Sequence, residues 1–105
     1  MTDIQQFMQM GQQLQARMAE LQEELSVREI SASAGGGMVT ATVDGKGGVT
    51  RIVIDPTVVD ARDVEMLEDL VLAAISEAQG KAQGQYEEDM RKAAGGMPIQ
   101  IPGLF

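Results

Sequence analysis

Between residues 4 and 25, Ile4, Phe7, Gly11, Leu14, Met18, Leu21 and Leu25 recur at spacings of 3, 4, 3, 4, 3 and 4. That alternation lines side chains into one seam along an α-helix, the a/d pattern of helices that pack lengthwise on another helix. The remaining surface is rich in glutamine (Gln5, Gln6, Gln9, Gln12, Gln13, Gln15, Gln22), which suits a helix and adds no charge. Gly11 stands on the seam, where it weakens the helix but permits close backbone approach. The pattern predicts a helix over residues 3–26, about 36 Å long at 1.5 Å per residue.

Three strands are expected next. Residues 28–34 place Ile30, Ala32 and Ala34 on one face, and Gly35-Gly36-Gly37 breaks the run. Residues 38–43 place Val39, Ala41 and Val43 on one face with Thr40 and Thr42 on the other. The loop Asp44-Gly45-Lys46-Gly47-Gly48 has hairpin chemistry, and the β-branched run 49–54 closes an antiparallel meander. Asp55-Pro56 stops it, because proline cannot donate to the ladder.

A second long helix begins near Asp60 or Asp63, either of which can cap it. Its apolar stripe is Met66, Leu67, Leu70, Val71, Ala74, Ile75 and Ala78, thinning through Ala82, Tyr86 and Met90 to a stop at Gly95-Gly96. Residues 1–95 read as one domain and 96–105, with two prolines and no charge, as an extended tail. The class is α+β in the order α-β-β-β-α, with two long helices flanking the meander. A helix of about 45 Å and one of about 36 Å both outrun strands of about 20 Å. The overhang of the first helix carries apolar residues that the sheet of one chain cannot cover, and a three-stranded meander has two open edges. Both problems are relieved by a second copy. The expected dimer shares the sheet and the first helix, with Ile4, Phe7, Leu14, Met18, Leu21 and Leu25 at the interface.

The composition narrows function by exclusion. The 105 residues include no cysteine and no histidine, which removes disulfides, thiol chemistry, His-based nucleophile activation and the commonest metal ligand. Neither Gly-rich turn leads into a helix or a Gly-Lys-Ser/Thr sequence, so phosphate-binding fingerprints are absent. Asp60, Asp63, Glu65, Glu68 and Asp69 lack the layout of a calcium loop and suit the first turns of a helix. No catalytic, metal or cofactor residues are expected, no small-molecule substrate, and no enzyme. The N-terminus lacks the layout of a signal peptide and no apolar run is long enough to span a bilayer, so a cytoplasmic protein without a membrane partner is expected. Net charge is −8, of which residues 60–77 carry −5.

The ordered set Gly36-Gly37-Met38-Val39, Ile54-Asp55-Pro56, Glu65-Met66-Leu67-Glu68-Asp69-Leu70-Val71 with Ala73-Ala74, and Gly96-Met97 before a Pro-Gly tail resembles the YbaB/EbfC family of bacterial nucleoid-associated proteins. The resemblance covers nearly the whole chain. It implies a tweezer-like homodimer whose long helices project as arms, and double-stranded DNA as a partner at the nucleoid, with a role in organising it or modulating expression. The acidic stretch at 65–69 then belongs to the dimer body. Where family members often carry lysines along the first helix, this chain has glutamines, with Arg17 the one base before Arg28. The candidate DNA contacts are Arg17, Lys81, Arg91 and Lys92, through phosphate neutralisation. A non-enzymatic dimeric adaptor, docking a protein through the helix arms or the tail, is the second reading.

Overall fold

A computed structural model describes residues 2–94; the expected tail at 96–105 and the stop at Gly95-Gly96 lie outside the described residues. The order is α1 (Thr2–Val27), β1 (Ile30–Ala34), β2 (Val39–Val43), β3 (Val49–Ile54), a 3-10 turn (Pro56–Val58) and α2 (Val64–Ala94). The strands form an antiparallel sheet in the order β1-β2-β3. The α+β class and the α-β-β-β-α order agree with the sequence pattern.

Register follows from the alternation. Ile30 faces Val43, Ala32 faces Ala41 and Ala34 faces Val39, so one face of β1 and β2 is apolar throughout. On the opposite face the partners are hydroxyls: Ser31 with Thr42 and Ser33 with Thr40, each pair hydrogen-bonded at 2.8 Å. An irregularity at Thr42 and Val43 brings Val43 opposite Val49.

Helix α2 covers the apolar face. Ala74, Ala78 and Ala82 are buried against Ile30, Ala32, Val39, Ala41 and Val43, with Leu67, Leu70, Val71 and Ile75 at the margin. Alanine at every fourth position lets the helix lie close to a sheet whose own centre is alanine. Gly35 extends that closeness to the β1–β2 turn: its φ is +64°, and a Cβ there would stand 2.8 Å from a Leu70 methyl. Met66, expected in the stripe, is exposed. It precedes the first residue that meets the sheet. The flanking is therefore unequal, since α2 alone lies on the sheet.

Two carboxylates set the start of α2. Asp63 is its cap, accepting from the Met66 N–H at 3.2 Å, whereas Asp60 accepts from the Arg62 N–H at 2.9 Å and shapes the turn before it. Asp55 caps the 3-10 turn by accepting from the Thr57 N–H at 2.9 Å and its hydroxyl at 2.8 Å. Those bonds, the backbone one foremost, hold the Asp55 carboxyl below its ordinary value of 3.8.

Helix α1 behaves differently. Residues 3–20 are exposed, Leu21 is half-buried, and Leu25 is 1% exposed. The root is fixed at the β2–β3 hairpin, where the Gly45 N–H donates to the Leu25 carbonyl at 2.7 Å. A Cβ at position 45 would stand 2.7 Å from a Leu25 methyl and 2.8 Å from its carbonyl oxygen, so only glycine seats the helix end there. Asp44 holds the hairpin by accepting from the N–H groups of Lys46 at 2.8 Å and Gly48 at 3.0 Å. Leu25 thus belongs to the packing of its own subunit, although the seam pattern had placed it between subunits. The heptad count identifies an apolar stripe but not the residue at which a helix meets its own domain.

Gly45→Ala should cost about 1–3 kcal/mol in urea unfolding, as overpacking does. Gly84→Ala, where a Cβ meets only open space, should instead stabilise by about 0.4–1 kcal/mol. Equal effects would show that the α1 root is not seated on the hairpin. A depressed folded-state pKa contributes stability above the unfolded value and loses it as pH falls through the folded one. Asp55→Asn should therefore lower the urea midpoint at pH 7, and the gap to the parent should narrow as pH drops below 3.8. A gap of constant size would mean that the charge plays no part.

Candidate nucleic-acid interface

DNA is held largely by cations that neutralise phosphates, so the question is which of the eight Lys and Arg residues are available. Four are engaged with carboxylates. Arg28 Nη1 meets Asp89 Oδ2 at 2.7 Å, with both side chains about two-thirds covered, and ties the far part of α2 to the start of β1. Arg51 lies 3.7 Å from Glu29 and Arg62 lies 3.2 Å from Asp60, both at the surface. Arg91 meets Glu88 at 2.7 Å one turn away, well exposed, where water screens the attraction and a phosphate can compete. Arg17, Lys46, Lys81 and Lys92 have no ion pair among the described residues.

These cations sit on different elements. Arg17 lies on the exposed length of α1, and Arg91 and Lys92 occupy the last turn of α2, where cations also complement the helix dipole. Lys81 was expected on a projecting arm. It stands instead over the sheet, its ammonium donating to the Ser31 carbonyl on the open edge of β1 at 3.3 Å. The cause is the alanine face: α2 stays on the sheet through Ala82 and is tied again at Asp89, leaving Arg91 and Lys92 beyond the last anchor. The structure therefore does not gather the four expected contacts into one patch.

Sequence reading also passed over Lys46. The glycine spacing of the hairpin points to turn chemistry alone, yet Lys46 lies at its tip. It borders a cleft of about 390 Å³ between the α1 root and α2, with Gln22, Gln79, Gln83 and Tyr86. A lysine flanked by glycines has no neighbour to bury it, and that was the available signal. Opposite in charge, Glu65, Glu68 and Asp69 are exposed at the beginning of α2. No group of three carboxylates among the described residues is arranged to hold a metal ion. No helix among them is long and apolar enough to cross a membrane.

A cation-bearing helix arm on an α-β-β-β-α body is what the resemblance led one to expect, and comparison with known proteins settles the kinship. The YbaB/EbfC DNA-binding family matches residues 1–97. The chain belongs to that family. A nucleoid-associated protein of Rhodospirillum rubrum is 43% identical over 99% of this chain and 96% of its own length. Another, of Gemmatimonas aurantiaca, is 47% identical over 91% of this chain and 96% of its own. A crystal structure of an uncharacterized Helicobacter pylori protein shares the fold, with a TM-score of 0.62 and 18% identity over 75% of this chain and 92% of that one. These family relatives are named as nucleoid-associated proteins, not as enzymes.

The two ion pairs of α2 should differ in weight. Asp89→Ala, which strips a part-buried guanidinium of its partner, should cost about 1–2 kcal/mol in urea unfolding. Glu88→Ala, in the exposed pair, should change stability by less than about 0.5 kcal/mol. A larger loss from Glu88→Ala would mean that Asp89 is not the tie between α2 and β1.

Proposed function

We propose that the protein binds double-stranded DNA as a homodimer, weakly and with little sequence preference, and so organises the nucleoid or modulates expression in the bacterial cytoplasm. The observation that carries this reading is that α2 carries Arg91 and Lys92 beyond its last anchor, far from the acidic cluster at its start. Glu65, Glu68 and Asp69 lie near one end and Arg91 and Lys92 at the other. From Glu68 to Lys92 the helix rises about 36 Å. That exceeds a Debye length of about 8 Å at physiological salt several-fold, so those three carboxylates exert little repulsion on a duplex at Arg91 and Lys92. Nearer by, Asp89 is paired with Arg28, and the exposed Glu87 and Glu88 keep the binding weak. Arg17 on the α1 arm, Lys46 at its root and Lys81 on the body are the further candidate contacts. No cofactor, metal or small-molecule substrate enters this reading, and no reaction is catalysed.

The homodimer is supported by the side of the sheet that α2 leaves bare. Val49, Val53 and Ile54 of β3 are exposed, as is Leu72 of α2. Leu72 precedes by two turns Gln79, whose amide donates to the Gly47 carbonyl beside β3, so it flanks that strand. Lys81 bonds one carbonyl of the β1 edge, whereas β3 offers an edge with apolar residues on both faces, the usual invitation to pair with another strand. Joining β3 to β3 would make one six-stranded sheet and cover Leu72. The α1 seam residues Ile4, Phe7, Leu14, Met18 and Leu21 then form a second contact surface. Their exposure also favours the adaptor reading, in which the arms dock another protein.

Fluorescence anisotropy with labelled duplex decides between the two. Binding should appear at low salt and weaken with a log–log salt slope of roughly −2 to −5, at about −0.9 per phosphate contact. Replacing Lys81, Arg91 and Lys92 by Glu should abolish it without loss of the dimer, and Glu68→Gln with Asp69→Asn should strengthen it. Absence of binding at ~100 μM protein, the weak end of non-specific affinity, would reject the DNA reading in favour of the adaptor.

A further inference from the structure

Phe7 is 78% exposed, Ile4 62% and Leu14 59%, so the α1 seam is finished neither by its own sheet nor by α2. The arm is also almost uncharged: residues 4–19 carry Arg17 and nothing else. Two such arms meet without like-charge repulsion. One residue says more. Gly11 lies mid-helix, where glycine is disfavoured, and a Cβ there would find open space within the subunit. Nothing among the described residues of the subunit requires a glycine at that place.

A second arm does require it. The seam has Ile4, Gly11 and Met18 at a and Phe7, Leu14 and Leu21 at d. Antiparallel helices set a against d. When the numbers of facing residues add to 25, Ile4 meets the partner's Leu21, Phe7 meets the partner's Met18, and Gly11 meets the partner's Leu14. Each large side chain then faces one it can pack on, and Leu14 fills the space that Gly11 leaves. A parallel pair would set Gly11 on Gly11 and leave a gap at the middle of the interface. Covering the exposed seam on two copies removes on the order of 1,000 Å² from water, which reaches the lower bound for a specific contact.

We propose that the α1 arms pair antiparallel between copies in this register, and that sheet-joined dimers are linked to one another through them. The proposal rests on the reading that the sheets join at β3. It gives each dimer two arms and therefore two links, so the assembly grows beyond two chains and holds separate duplexes together.

The native chain has no cysteine, which makes cross-linking clean. Under mild oxidation a mixture of Phe7→Cys and Met18→Cys proteins should form a 7–18 disulfide at least ten-fold faster than Gln12→Cys, which lies off the seam. Leu14→Cys alone should behave like the Gln12→Cys control. A rapid 14–14 bond, or no excess over the control, overturns the register. Light scattering supplies the second measurement. The parent should exceed two chains at micromolar concentration, and Leu14→Lys should reduce it to two. Gly11→Leu, which favours the helix itself, should also weaken the linking, since Leu14 loses its space. A parent of two chains that Leu14→Lys leaves unchanged, or that it splits to monomers, overturns linking between dimers. Val53→Lys on the open strand tests the underlying joint separately: it should leave two-chain, arm-linked species. If it has no effect on mass, the β3 joint is wrong and the linking of sheet dimers falls with it.

Discussion

Three alanines one turn apart, Ala74, Ala78 and Ala82, rest on a sheet whose centre is also alanine, Ala32 against Ala41. Small side chains on both sides bring a helix axis close to the sheet, and the remaining placement follows from that closeness. Leu70 comes within reach of the β1–β2 turn only because position 35 has no Cβ. Lys81 is brought to the β1 edge, and Asp89 to Arg28. The cost falls on β3. A helix seated over β1 and β2 covers the third strand only in part: Ile52 packs at the core margin, Val49 and Ile54 stay exposed, and Val53, opposite Thr40, lies on the other face.

The charge arrangement is economical in cations and lavish in carboxylates. Eight bases face sixteen acids, and half of the bases are engaged with them. Nucleic-acid binders commonly carry a basic stripe. Here single cations are dispersed over α1, the hairpin and the last turn of α2. Such a pattern suits contact with a repeating phosphate backbone at several points better than the reading of bases, which needs side chains converging on one groove.

Much of the fold was legible in the sequence. Period-two alternation in residues 30–34 and 39–43 predicted which face is buried, and the glycine turns marked the strand ends. The choice between Asp60 and Asp63 as helix cap was not legible, since both residue types cap and only the backbone decides which one reaches an N–H. Nor was the division of labour between the helices. Both showed apolar stripes, but that of α2 turns to small residues, Ala74, Ala78 and Ala82, where it crosses the sheet, while that of α1 is mostly large ones that fit another helix. The candidate contacts are unevenly placed for a related reason. Charge and position along the chain suggested Lys81 on an arm, but its direction depends on helix seating, which sequence spacing does not encode. Lys46 was hidden by its neighbours, because a loop rich in glycine reads as geometry before it reads as chemistry.

The seat of α1 on the hairpin has a mechanical consequence. A rod of 26 residues is about 39 Å long and is held at one end, by a carbonyl on the Gly45 amide and a leucine pressed into its hollow. Leverage does the rest: a tilt of about 10° at that pivot sweeps the tip through about 7 Å, roughly one helical turn and a quarter. The reach of the molecule is thus governed by a joint a few atoms wide, far from whatever the tip touches. A tip moving on such a pivot can meet objects at different distances without any change in the body that carries it.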